Sequence, residues 1–148
     1  MQITIEDILK LKPCEEYGSA KLEHLAAGRE SVTLMEITEL PIPFEDVLWV
    51  ISLLINGKHD RELRLFACDC AEHVLHLFEK EYPDDKRPRE AIAVSRRYAN
   101  GEATDGERSS ARNAARAAAR DAAWAASIEA EQKLQLNKLR EYIEDIEG

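Results

Sequence analysis

The sequence predicts an all-α protein, a single-domain bundle of six or seven helices with a long alanine-rich helix at its C-terminal end. Three observations carry that expectation. Leu63, Phe66, Ala67, Cys70, Val74, Leu77 and Phe78 fall on one stripe at 100° per residue, the period of an amphipathic helix. The capping-box pattern, in which a threonine and an acidic residue three positions on satisfy each other's backbone N–H groups, occurs at Thr4–Asp7, Thr33–Glu36 and Thr104–Glu107. From Asp105 to Ile143 there is no proline, and no glycine after Gly106, which leaves room for a helix on the order of 60 Å at 1.5 Å per residue. A chain of 148 residues and 16.8 kDa is the size of one domain with a real core. It divides by pattern into N-terminal helices over 1–57, a central helical pair over 58–101 and the long helix over 102–148.

In order, the first capping box opens a short helix carrying Ile5, Ile8, Leu9 and Leu11, which Pro13 ends. Glu15 to Ala27 reads as a second helix with Tyr17, Leu22 and Leu25, closed by Gly28 in the left-handed position that lacks a Cβ clash. The second box precedes MEITEL, and Pro41 and Pro43 separate it from Phe44–Ile55. That segment is apolar nearly all round, so it is expected to be covered on several sides, with Trp49 as a buried hub; a β-strand over Val47–Ile55 is the alternative. Its apolar run is too short for the roughly 20 residues of a membrane span, and Glu45 and Asp46 at its start favour the helix dipole. Asp60 is the expected N-cap of the next helix, whose core face includes Phe66, Cys70 and Phe78. Pro83 stops it, and Pro88 restarts the chain as a short helix over Arg89–Tyr98, closed by Asn100 and Gly101. On the long helix, Ala111, Ala114, Ala115, Ala118, Ala122, Ala125 and Ala126 make a small-residue stripe, with Ala117, Trp124 and Ile128 on the other side. Leu136, Leu139, Ile143 and Ile146 then form a two-heptad seam, too short to stand alone, that is expected to self-associate as a homodimer or to be covered from within the chain.

The wording of LRLFACDCAE, followed by FEKEYPDDKRPREAI and an Ala/Arg-rich helix, resembles the putative immunity proteins of bacterial and prophage genomes. The resemblance spans about the C-terminal two-thirds of the chain, and TIEDILKLKPCEE with EDVLW is similar to the lead-in that such phage proteins carry. It implies a small helical protein that binds and neutralises a partner, with no catalytic residues to transfer.

A formal net charge of −9 and a pI near 5.0 argue against DNA or an anionic membrane as partner and favour a basic protein. Cys14, Cys68 and Cys70 are an odd count, two of them inside a helix, which points to free thiols in a reducing cytoplasm. Acidic residues interrupt MQITIEDILKLKP at once, so no secretion signal is expected. Cys68-Asp-Cys70 sets its thiols about 200° apart on a helix, unlike a redox loop motif.

Four constellations could carry chemistry. His73 and His76 with Asp69 and Glu72 could hold a metal, and a metal-dependent enzyme on that face is the rival reading. The spacing lacks the i, i+4 histidine pair and adjacent glutamate of HExxH, His24 and His59 are the only other histidines, and a solvated charged face is preferred. The corner Asp84-Asp85-Lys86-Arg87-Pro88-Arg89-Glu90 is either a partner site or a folding clasp, the clasp being preferred. Arg108, Arg112, Arg116 and Arg120 form an i, i+4 ladder expected to pair with acidic helices through Asp69 or Asp84 rather than with phosphates. Trp124, Asp84, Asp85 and Glu131 are the candidate partner-binding residues; Trp124 is either core against the N-terminal helices or an exposed anchor of the kind that dominates binding energy. The expected function is non-catalytic, with no metal and no cofactor: a cytoplasmic inhibitor of a basic nuclease or nucleic-acid-processing defence complex, as an immunity protein or an anti-CRISPR. A helical dimeric scaffold or adaptor is the third reading.

Overall fold

A computed structural model describes residues 1–111, 113 and 128–148, the side chains of 128–131 excepted. Its elements are helical: α1 (Ile5–Lys10), a 3-10 turn (Glu15–Tyr17), α2 (Ser19–Ala26), α3 (Leu34–Ile37), α4 (Phe44–Ile55), α5 (Asp60–Glu81), α6 (Arg87–Ala99), α7, described over 105–111, and α8 (Ile128–Glu147). The fold is all-α. Among the described residues the extended pairing is a single antiparallel bridge between Ile3 and Val32. The chain forms two compact units, one of Met1–Lys58 with Leu139–Gly148 and one of His59–Lys138.

In the first unit the local signals work as written. Thr4 Oγ1 accepts from Asp7 N at 3.2 Å while the Asp7 carboxylate accepts from Thr4 N at 3.1 Å. Thr33 and Glu36 make the same exchange at 3.1 and 2.7 Å, so each helix begins with two of its orphan donors satisfied. The bridge Ile3 N to Val32 O at 2.9 Å and Val32 N to Ile3 O at 2.8 Å then lays the chain start along the α2–α3 loop.

The expected Glu15–Ala27 helix is interrupted. Gly18 is extended, at φ −67° and ψ 169°, so a 3-10 turn precedes α2. The break follows from Tyr17, which is buried, donates its hydroxyl hydrogen to Asp46 at 2.6 Å and lies under the Lys21 ammonium at 4.0 Å. Glycine is the residue that concedes a helix most readily when a neighbour is pinned this way. At the other end Ala27, at φ 52°, takes the left-handed position ahead of Gly28, at φ 79°.

α4 is the helix expected, not a strand, but its burial is one-sided. Val47, Val50, Ile51 and Ile55 are buried at i, i+3, i+4 and i+8, a single stripe. Trp49 is not a buried hub: it is 39% exposed, as is Leu53 one turn on. The inward face is the β-branched one, and Trp49 shares the outer side with the polar Glu45 and Ser52.

Of the two covers expected for the heptad seam, the structure shows one from within the chain. Leu139 and Ile143 are buried within the chain, while Leu136 and Ile146 are half-buried, so the four do not form a free face for a second copy. The cover is the α3 region: Arg140 donates from Nε to Thr38 Oγ1 at 2.9 Å and from Nη2 to the Thr38 carbonyl at 3.1 Å. The Glu147 carboxylate accepts from Leu34 N at 3.3 Å. Thr38 is itself 3% exposed and passes its hydroxyl hydrogen to the Met35 carbonyl at 2.7 Å, which leaves its oxygen free to accept from Arg140.

The largest fully buried side chains among the described residues are Ile3, Leu34, Ile37, Ile51, Ile55, Leu139 and Ile143, all in this first unit. In the second unit α5 and α6 pack on each other. Phe66, Cys68 and Leu75 are buried there, whereas the expected core residues Cys70 and Phe78 are half-buried, Phe78 stacking at a tilt on Tyr82 at 5.1 Å. Asp60 is the first residue of α5 rather than its cap, and α6 begins at Arg87 with Pro88 in its first turn. No helix among the described residues is long and apolar enough to cross a membrane.

Truncating Ile143 to Ala is expected to cost about 2–5 kcal/mol, the range for a fully buried aliphatic side chain. Leu53→Ala, on the exposed side of α4, is expected to cost under about 1 kcal/mol. Urea melts of the two variants check the assignment of inner and outer faces.

Candidate functional site

In the second unit the charged residues singled out by sequence are brought together, mostly to satisfy one another. Arg96 of α6 reaches back to α5, placing Nη2 at 2.6 Å from Asp69 and 2.5 Å from Glu72. Lys138 adds a contact to Asp69 at 3.4 Å. Asp69 and Glu72, the carboxylates of the histidine cluster, are therefore claimed by α6 and α8. His76 places Nδ1 2.8 Å from the His73 carbonyl, one turn back on its own helix. Among the described residues no group of three or more His, Cys, Asp or Glu side chains is placed to hold a metal ion.

The acidic and basic corner closes on itself. Asp85 accepts from Arg87 Nε at 2.8 Å, Nη2 at 2.5 Å and the backbone N at 3.1 Å, so one carboxylate binds a guanidinium in two places and supports the start of α6. Arg89 forks onto Glu79 of α5 at 2.7 and 2.6 Å. These guanidiniums hold the Asp85 and Glu79 carboxyls below the usual carboxylate range. Asp84, by contrast, is exposed.

Arg108 begins the arginine ladder, and its partners are not Asp69 or Asp84. Its guanidinium lies 4.7 Å from the centre of the Tyr98 ring, which Arg64 also approaches at 4.8 Å, and its Nη2 reaches Asp105 at 3.2 Å. The hydrogen bond from Tyr98, and then that from Arg108, lowers the Asp105 carboxyl. The remaining rungs Arg112, Arg116 and Arg120, the alanine stripe beyond Ala111, and Trp124 lie outside the described residues, as does the side chain of Glu131. Of the thiols, Cys68 is buried and pushed up by desolvation, Cys70 is half-buried and Cys14 exposed; none of the three is in a disulfide.

The first unit holds what sequence reasoning missed, an open apolar groove of about 420 Å³. Ile3, Ile5 and Ile8 form one wall, Leu22 and Leu25 another, and Val50 with Trp49 the third. Four charged residues line it: Lys12, Arg29, Glu30 and Asp46. Arg29 is held by Glu36 at 2.8 Å, and Asp46 takes the Tyr17 hydroxyl. Lys12 stands at φ 56°, a left-handed backbone uncommon for a residue with a Cβ. Burial first, and then the Asp46 carboxylate, pushes the Tyr17 hydroxyl well above the ordinary tyrosine value. The Ile3–Val32 bridge ties the start of the chain to the α2–α3 loop, a pairing with no local pattern behind it, and both of its residues line the groove.

The described residues thus give a helical protein with an internally paired charged face in one unit and an open apolar groove in the other. The chain belongs to the Imm-5 like putative immunity protein family, whose model matches residues 53–133. No curated protein and no solved structure matches it.

Two pH responses follow. Asp85 and Glu79 have lowered carboxyls, so their contribution is full above the ordinary carboxylate value near pH 4 and is lost as pH falls below it. Asp85→Asn is expected to be less stable than the parent at neutral pH and to lose less on acidification. Tyr17 is shifted the other way, so its contribution is full below about pH 10 and is lost as pH rises past that value. Tyr17→Phe is expected to show a shallower loss of stability on the alkaline side. Thermal melts across the pH range read both.

Proposed function

We propose that the protein is a non-catalytic inhibitor that acts in the bacterial cytoplasm by binding and neutralising a basic nuclease or nucleic-acid-processing defence complex, in the manner of an immunity protein or an anti-CRISPR. The observation that carries this reading is the family match over residues 53–133. The net charge of −9 supports it, because an acidic surface raises the association rate with a basic partner and competes with that partner's nucleic acid. The self-paired charged face of α5 and α6 supports a binding role over a catalytic one, since its carboxylates are engaged as structural ion pairs. The metal-enzyme reading receives no support from the described residues, where Asp69 and Glu72 turn to Arg96.

The test is affinity capture from the native host or from phage-infected cells, followed by titration of the captured partner's nuclease activity with the purified chain. Stoichiometric inhibition that weakens with added salt is expected. A captured partner whose activity is unchanged at saturating chain, or a hydrolytic activity intrinsic to the chain, overturns the reading.

A further inference from the structure

We infer that the groove of the first unit is the docking site for an apolar segment of the partner protein that is flanked by lysines and arginines. This rests on the inhibitor reading for the existence of a partner, and adds where that partner binds and what chemistry it presents.

The charge of the chain is carried almost wholly by one unit. Residues 1–58 and 139–148 hold fourteen aspartates and glutamates against six lysines and arginines, a net −8, while residues 59–138 hold fifteen against fourteen, a net −1. The acidic field that would steer a basic partner therefore originates in the unit that contains the groove. On the same unit Trp49 and Leu53, each 39% exposed, stand one turn apart on the outer side of α4, and Trp49 is also part of the groove wall. An exposed tryptophan beside an apolar depression of this size is the arrangement that supplies most of the energy at protein interfaces.

The wall charges narrow the occupant further. Lys12 and Arg29 are offset by Glu30 and Asp46, and Arg29 and Asp46 are already bonded to Glu36 and Tyr17, so the groove itself selects apolar side chains. The unit's surplus of carboxylates then selects cationic flanks. An anionic amphiphile such as a fatty acid would enter against that field, which favours a protein segment as the occupant. None of the residues lining the groove falls within the stretch matched by the family model, which starts at residue 53. The groove thus lies outside the part of the chain shared with the family, where an element that sets partner choice belongs.

The experiment uses the full chain with three probes: a short synthetic helix-forming peptide with Leu and Phe at i, i+4 and i+7 and Lys elsewhere, the same peptide with Glu for Lys, and dodecanoate. The lysine peptide is expected to shift the amide resonances of Ile8, Tyr17 and Val50 and the Trp49 indole, with the glutamate peptide about tenfold or more weaker. Trp49→Ala is expected to weaken the lysine peptide by about tenfold or more. Leu134→Ala, at an exposed apolar site of the other unit, is expected to leave it unchanged. Equal binding by a folded Trp49→Ala variant, or shifts confined to residues outside the groove, overturns the inference by reducing the effect to general charge attraction. If Trp49→Ala does not fold, the shift map of the unaltered chain decides alone. Dodecanoate filling the groove and excluding the peptide also overturns it. If the peptide docks but the captured partner is not inhibited, the inhibitor reading fails and the docking site stands; if Trp49→Ala inhibits the partner as well as the parent does, the docking site fails and the inhibitor reading stands.

Discussion

The first unit depends on one long-range clamp, the two hydrogen bonds from Arg140 to Thr38, made across 102 residues of chain. Thr38 is at the end of α3 and fully enclosed, so its carbonyl and hydroxyl oxygen cannot turn to water for partners. Leaving such groups unmet costs about 1–3 kcal/mol each. Arg140 supplies both, and in doing so sets the register of α8 against α3. Leu139 and Ile143 are then carried inward, each contributing on the order of 1.5–3 kcal/mol of apolar burial. With α3 fixed, Val32 is held for the bridge to Ile3, and α1 can form a wall of the groove.

Much of this was legible from residue order, and the reason is distance along the chain. The capping boxes at Thr4, Thr33 and Thr104 involve atoms three residues apart, so sequence shows both partners at once. The self-pairing of the Asp85 and Arg87 corner is of the same kind. The orientation of α4 is carried by few residues: Glu45 and Ser52 are the polar positions on the Trp49 side, and the run of large apolar side chains around them outweighs that signal until the packing of Val47, Val50, Ile51 and Ile55 shows which face is buried. The C-terminal seam reads as needing cover, from a second copy or from within the chain, and residue order does not decide between them, since nothing near Arg140 announces Thr38. The groove was missed for the same reason: its walls come from α1, α2 and α4, joined by a bridge of two hydrogen bonds.

The two units solve the problem of charge in different ways. In the second, opposite charges are nearly balanced and spent on each other, as in Arg96 with Asp69 and Glu72 or Arg89 with Glu79. Exposed pairs of this sort add little to stability singly, but a fork such as Arg89 on Glu79 fixes where α6 lies on α5. In the first unit the carboxylates outnumber their cations by more than two to one. That excess is a cost to the folded state through self-repulsion, and the apolar centre of Ile3, Leu34, Ile37, Ile51, Ile55, Leu139 and Ile143 offsets it.

Because the first unit is built from two separated segments, its assembly has an order in time. During synthesis α1 to α4 emerge first, with the face around Leu34 and Ile37 still lacking the helix that will cover it, and some eighty residues of the second unit must follow before Leu139 and Ile143 arrive. Closing a loop of that length costs on the order of 4 kcal/mol in chain entropy, which an already folded second unit reduces by shortening the freely moving span. The nascent chain therefore passes through an interval in which the α3 face around Leu34 and Ile37 is made but uncovered, and translation speed across the second unit sets how long that interval lasts.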